Sequence, residues 1–131
     1  MSDIKRDDLK QVSYNKFGKT MDLVVERIRK YQQDTEVAFD VVVPLLRSGM
    51  VPATHILSKL NLKTVLPVYY MYLNKQIVKR IEIPEILLDT VSNNPNILLV
   101  DANLSTGTTV HNAIKDLKLK YPNASFYIAV T

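Results

Sequence analysis

The stretch from Ile97 to Thr109, with the sequence ILLVDANLSTGTT, joins an apolar run, one carboxylate and a hydroxyl-rich turn around a single glycine. Four consecutive apolar residues are typical of a strand that is buried on both faces. Further apolar residues then follow at helical spacing, namely Val110, Ala113, Ile114 and Leu117. The sequence therefore predicts a strand, a tight loop and a helix.

The predicted loop has the composition of a phosphate-binding site. Its backbone N–H groups and the positive end of the following helix would point to one place, where Gly107 has no side chain to block close approach. Its hydroxyl residues are Ser105, Thr106, Thr108 and Thr109. Asp101, at the carboxyl end of the strand, would repel phosphate, so it suits sugar hydroxyls or the shell of a magnesium ion. A phosphorylated sugar is therefore the predicted ligand.

Two other interpretations of this segment stay open. The first is a strand-turn-helix corner without any ligand, because α/β folds contain several such corners. The second is a receiver domain with Asp101 as the phospho-acceptor. The hydroxyl-rich loop and the lack of an acidic pair near the first strand disfavour the receiver domain.

A second polar loop, PLLRSGM from Pro44 to Met50, follows the first predicted strand. Because ligands bind outside the carboxyl ends of parallel strands, we expect this loop and the Asp101 loop to converge on one ligand. Arg47 offers a fork of donors for a diphosphate, and the amides of Ser48 and Gly49 would point at the same group. Arg47 by itself would be interpreted as a surface arginine. Its pairing with the Asp101 loop favours pyrophosphate binding.

Both loops resemble those of the type I phosphoribosyltransferases, which use phosphoribosyl pyrophosphate (PRPP). The family's PRPP loop has four apolar residues, two acids, two apolar residues, a small residue and Thr-Gly-x-Thr. Asp101 takes the first acidic place and residues 105–109 the 5′-phosphate loop, whereas Ala102 replaces the second acid and Asn103 an apolar residue. The Arg47 loop resembles the family's pyrophosphate loop, where the peptide bond before the arginine is often cis. The resemblance covers about residues 37–131.

The resemblance implies transfer of phosphoribose to a nucleobase with release of pyrophosphate. Asp101 and Arg47 would then be the catalytic residues, Asp101 on the ribose hydroxyls and Arg47 on pyrophosphate together with Ser48 and Gly49. Mg²⁺ would be bound with PRPP, without a direct protein ligand. The loss of one acid at Ala102 should weaken ribose binding but leave the phosphate loop intact.

A non-catalytic PRPP or nucleotide sensor, or an assembly module, is the alternative function, and a purely structural remnant is a third. Ala102 favours the sensor, as does the short length available for a hood over the base. We expect any such hood to come from residues 1–16, where Tyr14 could contribute. The Arg47 loop favours the enzyme.

Residues 70–83 match the position of the family's flexible loop. Three cations there could neutralise the leaving pyrophosphate, and they are Lys75, Lys79 and Arg80. An exposed hairpin with solvated cations is the alternative. The tyrosines of the same stretch are Tyr69, Tyr70 and Tyr72. They could stack on a base, but we favour packing of a sheet face or a subunit interface.

The remaining apolar pattern predicts alternating helices and strands in one domain over residues 1–131, with an N-terminal segment and helix at 1–35 and a core at 37–131. The predicted elements are a helix through Phe17, Met21, Val24, Val25, Ile28 and Tyr31, strand Val37–Val43, helix Pro52–Leu60, strand Thr64–Tyr70, a hairpin tip at Asn74–Gln76, helix Pro84–Val91, a turn at Asn93–Asn96 and strand Ser125–Val130. The predicted fold is a doubly wound, mostly parallel α/β sheet flanked by helices, similar to the type I phosphoribosyltransferase core.

Composition limits the remaining possibilities. The 131 residues are 47% hydrophobic, enough for a single core. The sequence has no cysteine, no apolar run near membrane-spanning length and no signal-like N-terminus, so we expect a cytoplasmic protein without a membrane partner. A net charge of +4 favours polyanions, but the cations are dispersed, so no nucleic-acid surface is predicted. His55 and His111 lack a zinc-ligand pattern, so no zinc site is predicted. We expect the protein to form a homodimer.

Overall fold

The computed structural model describes residues 14–83, 92–102 and 107–131. Helices and strands alternate along most of this chain. The elements are α1 (Tyr14–Thr35), β1 (Val41–Leu46), α2 (Met50–Leu60), β2 (Val68–Leu73), β3 (Gln76–Lys79), β4 (Asn96–Asp101), α3 (Thr108–Lys120) and β5 (Ser125–Val130).

The strands form one sheet in the order β3-β2-β1-β4-β5. Strands β2, β1, β4 and β5 pair in parallel, and β3 pairs antiparallel with β2 at one edge. The prediction of a doubly wound, mostly parallel sheet flanked by helices is therefore confirmed. At the centre, β1 and β4 pair in register from Val41↔Ile97 to Pro44↔Val100, so their carboxyl ends lie side by side.

Each face of the sheet has its own apolar core. Helices α1 and α2 bury Met21, Val25 and Ile56 against one face, where Val42 and Leu98 point. Helix α3 covers the other face with a second set of buried residues, Val110, Ala113 and Leu117. Alternate residues of β1 and β4 are thus buried on opposite faces, which explains their uninterrupted apolar sequences.

The first strand begins and ends later than the predicted Val37–Val43, and Pro44 lies inside it instead of beyond its end. Val42 directs its N–H to Thr64 and its carbonyl to Leu66, so the nitrogen of residue 44 faces the same neighbour. The bridge Val42↔Val65 and the pair Leu45↔Val68 flank the position where a proline cannot donate. The prediction of Val37–Val43 was wrong in both bounds, and the place of Pro44 in the ladder explains the error at the carboxyl end.

Before β1, Asp40 joins the amino ends of two strands. Its N–H donates to the Asn96 carbonyl at 2.9 Å, and its carboxylate accepts the Asn96 N–H at 2.8 Å. Asp40 therefore lies at the end of the sheet opposite the predicted ligand. The sequence alone had left open whether it was buried at the sheet edge or reached the ligand.

The second strand lies at Val68–Leu73, later than the predicted Thr64–Tyr70, and only a bridge at Val65 precedes it. The predicted hairpin tip is confirmed, since Asn74 and Lys75 have φ values of 50° and 62° between paired strands. Two consecutive residues with positive φ match the right-handed twist of a hairpin.

Most of the other predicted elements are present in the structure, and one lies outside the described residues. The first helix, the second helix, the helix after the Asp101 loop and strand Ser125–Val130 are confirmed. The predicted helix Pro84–Val91 lies outside the described residues, as do residues 1–13. None of the helices in the described ranges is long and apolar enough to cross a membrane.

Candidate functional site

The pairing of β1 with β4 brings the two polar loops together. Arg47 and Ser48 follow β1, and Asp101 is the last residue of β4. The Ser48 hydroxyl donates to Asp101 Oδ1 at 3.5 Å, a long hydrogen bond that crosses from one loop to the other. Asp101 is only 9% exposed, whereas Arg47 is exposed to solvent. The structure therefore places a buried carboxylate beside the loop that carries an accessible arginine.

The Leu46–Arg47 peptide bond is cis, as the resemblance implies. It lies where β1 ends and the chain turns into α2, which begins at Met50.

Gly49 is required by close packing of the loop against β4. A Cβ at this position would lie 2.3 Å from the Val100 carbonyl oxygen and 2.7 Å from that of Leu45. The Gly49 N–H donates to the Leu45 carbonyl at 2.9 Å. The sequence analysis assigned this amide to the diphosphate, but in this structure it closes the turn. Arg47 and Ser48 are thus the exposed residues of a loop that Gly49 holds in place.

We predict that Gly49→Ala lowers the free energy of unfolding by about 1–3 kcal/mol, because the new methyl group must displace backbone atoms of both central strands. Denaturant unfolding measures this loss. The matched control is Gly18→Ala on α1, where a Cβ meets nothing within 4 Å. That control should be neutral or stabilising, since alanine is favoured over glycine inside a helix. Equal stabilities of the two variants would contradict the packing argument.

The predicted phosphate loop leads into α3 at Gly107. This glycine has φ of 75°, a left-handed conformation that side chains disfavour, and its carbonyl accepts the His111 N–H at 2.9 Å. Thr108 and Thr109 form the first turn of the helix, which contains no acidic residue. The N–H groups of this turn and the helix dipole therefore favour an anion. Ser105 and Thr106 lie outside the described residues.

A cleft of about 600 Å³ opens beside the Arg47 loop. It runs between the end of β1 and strand β2, and its lining residues are Leu46, Arg47, Ser48, Tyr69, Tyr70 and Met71. The guanidinium, a hydroxyl and tyrosine rings give this cleft both polar and apolar surface. It is large enough for part of a nucleotide or a diphosphate.

The hairpin carries the three cations that the sequence analysis singled out. Lys75 lies at the exposed turn, and Lys79 Nζ lies 3.5 Å from Glu82 Oε2. The backbone N–H of Arg80 donates to the Tyr69 carbonyl. Within the described ranges, no hydrogen bond or ion pair joins these side chains to the Arg47 loop. Their contact with pyrophosphate remains a prediction.

Sequence reasoning missed one polar contact near the cleft. The Tyr70 hydroxyl donates to Asp116 Oδ2 on α3 at 2.7 Å. Burial, this hydrogen bond and the negative charge of Asp116 raise the pKa of Tyr70 well above its usual range. Tyr70 therefore packs under α3, which agrees with the preference for packing over base stacking.

The two histidines lie on helices α2 and α3 and not in the polar loops. His55 Nε2 lies 3.0 Å from Asp22 Oδ1 and joins α2 to α1, away from the Asp101 loop. His111 is exposed on α3. Across the described part of the chain, no group of three or more histidine, cysteine or acidic side chains is arranged to hold a metal.

Comparison with solved structures shows the same fold in known phosphoribosyltransferases. A purine phosphoribosyltransferase from Pyrococcus horikoshii matches with a TM-score of 0.73 and 19% identity, over 91% of this chain and 74% of that chain. The xanthine-guanine-hypoxanthine phosphoribosyltransferase of Helicobacter pylori matches with a TM-score of 0.67 and 24% identity, over 90% of this chain and 72% of that one. At these identities the likeness establishes the fold.

A third similar structure is a hypothetical protein from Neisseria gonorrhoeae with bound ppGpp. It has a TM-score of 0.61 and 20% identity, over 93% of this chain and 71% of that chain. No protein-family model matches this sequence. No curated protein matches it either.

Proposed function

We propose that this chain, whose fold is that of the type I phosphoribosyltransferases, binds PRPP or a nucleotide 5′-phosphate at the carboxyl ends of β1 and β4. The observation that carries the proposal is the contact between the two loops, where Ser48 donates to the buried Asp101. A phosphate at the start of α3 would then lie on one side of Asp101, and a diphosphate at Arg47 on the other. PRPP has both groups, joined through a ribose.

Each residue has a distinct role in this proposal. The loop 105–109 holds the 5′-phosphate, Asp101 orients the ribose hydroxyls, and Arg47 with Ser48 holds the diphosphate. A nucleobase nitrogen would displace pyrophosphate at C1′ through an oxocarbenium-like transition state, in which Arg47 and the hairpin cations stabilise the departing charge. No nucleophilic side chain is required.

Magnesium fits this site as a companion of the ligand. Asp101 is a single buried carboxylate and does not make a protein cage for Mg²⁺, which usually keeps several waters and takes other ligands from substrate phosphates. We therefore expect the oxygens of PRPP to supply most of its shell. Bound in this way, Mg²⁺ would neutralise part of the diphosphate charge.

A non-catalytic sensor is the second candidate function. Ala102 removes one of the two acids expected beside the ribose, and the protein with bound ppGpp shares the fold. A sensor would bind a phosphorylated nucleotide through the same two loops without transfer. A homodimer remains a prediction for either function.

Calorimetric titration with PRPP, ribose 5-phosphate and pyrophosphate, each with and without Mg²⁺, tests the proposal. We expect PRPP with Mg²⁺ to bind most tightly, because it engages both loops at once. If none of the three ligands and no nucleoside 5′-monophosphate binds, the proposal is wrong. Incubation of the PRPP complex with purine and pyrimidine bases, followed by assay for pyrophosphate, separates the enzyme from the sensor.

We predict that Ala102→Asp tightens PRPP binding about ten- to a hundredfold in the presence of Mg²⁺, the effect of one added hydrogen bond to a charged group. It should also raise any phosphoribosyl transfer or PRPP hydrolysis. Titration with and without Mg²⁺ shows whether the added carboxylate tightens or weakens PRPP binding. Weaker binding under both conditions would instead indicate a site that takes its phosphate ligand without metal.

A further inference from the structure

Strand β2 and helix α3 are joined by a hydrogen bond that the proposed chemistry has not used. The Tyr70 phenol donates to Asp116 Oδ2 at 2.7 Å, and both side chains are partly buried. Tyr70 packs against the apolar core beneath α3. A hydrogen bond to a carboxylate away from bulk water is stronger than one between neutral groups. The contact therefore fixes β2 against this helix.

The position of Tyr70 relates this bond to the hairpin cations. Tyr70 pairs directly with Lys79 across β2 and β3, so the two side chains share one face of the sheet. Lys75 and Arg80 lie on the same short hairpin or just beyond it. Tyr70 also lines the cleft next to Arg47. The hairpin thus borders the cleft and meets α3 at this residue.

Helix α3 begins at the predicted phosphate loop, directly after Gly107. Asp116 lies on the same helix, about two turns further along. The Tyr70–Asp116 bond consequently relates the element that carries the cations to the element that would hold the 5′-phosphate.

We propose that Tyr70 and Asp116 form a positioning pair, which holds the hairpin that carries the cations against α3, the helix at whose start the 5′-phosphate is proposed to bind. The inference rests on the proposed function, because it takes PRPP as the ligand that spans both elements. Neither side chain needs to touch the ligand. They act by fixing the positions of Lys75, Lys79 and Arg80.

Two variants of Asp116 isolate the hydrogen bond. Asp116→Ala and Asp116→Asn remove the same charge, but asparagine keeps an oxygen that can accept from the phenol. Asp116 is not among the residues that line the cleft. We expect Asp116→Ala to weaken PRPP binding by about three- to tenfold, the usual effect of one hydrogen bond, and to leave ribose 5-phosphate nearly unchanged. Asp116→Asn should retain most of the PRPP affinity.

Tyr70→Phe and the double variant complete a cycle. Tyr70→Phe should match Asp116→Ala, and combining the two should cost little more than either one, because both remove the same contact. An equal loss of PRPP and ribose 5-phosphate affinity would overturn the proposal, since it would indicate a general structural role. Additive losses, or no rescue by asparagine, would also overturn it.

Hydrogen–deuterium exchange of the ligand-free protein separates this inference from the proposed function. In Asp116→Ala, the amides of β2 and β3 should exchange faster than in the wild type, while those of α1 keep their rate. Unchanged exchange in the hairpin overturns the positioning role, whatever the ligand. If the wild type binds no PRPP but hairpin exchange rises, the proposed function fails and the structural link stands.

Discussion

Gly107→Val should reduce the binding of ribose 5-phosphate and PRPP by at least about a hundredfold, through the loss of two or more hydrogen bonds to a charged phosphate. Gly107 has φ of 75°, which costs a residue with a side chain about 1–2 kcal/mol. A branched side chain at the start of α3 would also fill the space that the anion needs. Calorimetric titration measures the loss, and thermal unfolding checks that the variant is folded.

Gly18→Val is the matched control for this substitution. Gly18 lies on α1, and a Cβ there meets nothing within 4 Å. The same change of side chain should leave the binding of both ligands intact. If Gly107→Val binds 5′-phosphates as well as the wild type, the phosphate loop is wrongly assigned.

Arg47→Ala should weaken PRPP binding by about ten- to a hundredfold, the range for a hydrogen bond between charged groups. Ribose 5-phosphate should lose much less, because it has no diphosphate for the Arg47 fork to hold. Arg47 is exposed at the cleft, and Ser48 next to it contacts Asp101. Titration of the Arg47→Ala variant with both ligands measures the loss of PRPP affinity relative to the loss of ribose 5-phosphate affinity.

Arg27→Ala removes the same charge from a different place. Arg27 lines an apolar cavity of about 340 Å³ between α1 and β5, which contains no residue of the two polar loops. It should therefore weaken both ligands only slightly, and PRPP only somewhat more than ribose 5-phosphate because PRPP carries more negative charge. If Arg47→Ala has that same effect, Arg47 contributes only general electrostatic attraction.

Much of the fold could be predicted from apolar spacing. Helix α3 buries Val110, Ala113 and Leu117, as its periodicity indicated, and β5 has the predicted bounds. The carboxyl end of strand β1 could not be predicted, because a proline such as Pro44 usually ends a strand. Only the pairing shows that its nitrogen faces a gap in the ladder, between Val42↔Val65 and Leu45↔Val68.

The convergence of the Arg47 and Asp101 loops could also be predicted, since parallel neighbours present their carboxyl ends at one edge. Two details needed the structure. Position 49 requires glycine because the carbonyl of Val100, a residue of another strand, leaves no room for a Cβ. Tyr70 and Asp116 lie 46 residues apart, and no local spacing relates a tyrosine on a strand to an acid on a later helix.

A crystal structure of the protein grown with ribose 5-phosphate tests the central claim most directly. The account predicts the phosphate at residues 105–109, at the start of α3, with the ribose hydroxyls toward Asp101 and C1 toward Arg47. A phosphate bound elsewhere on the protein, or a ribose that points away from Asp101, would contradict it.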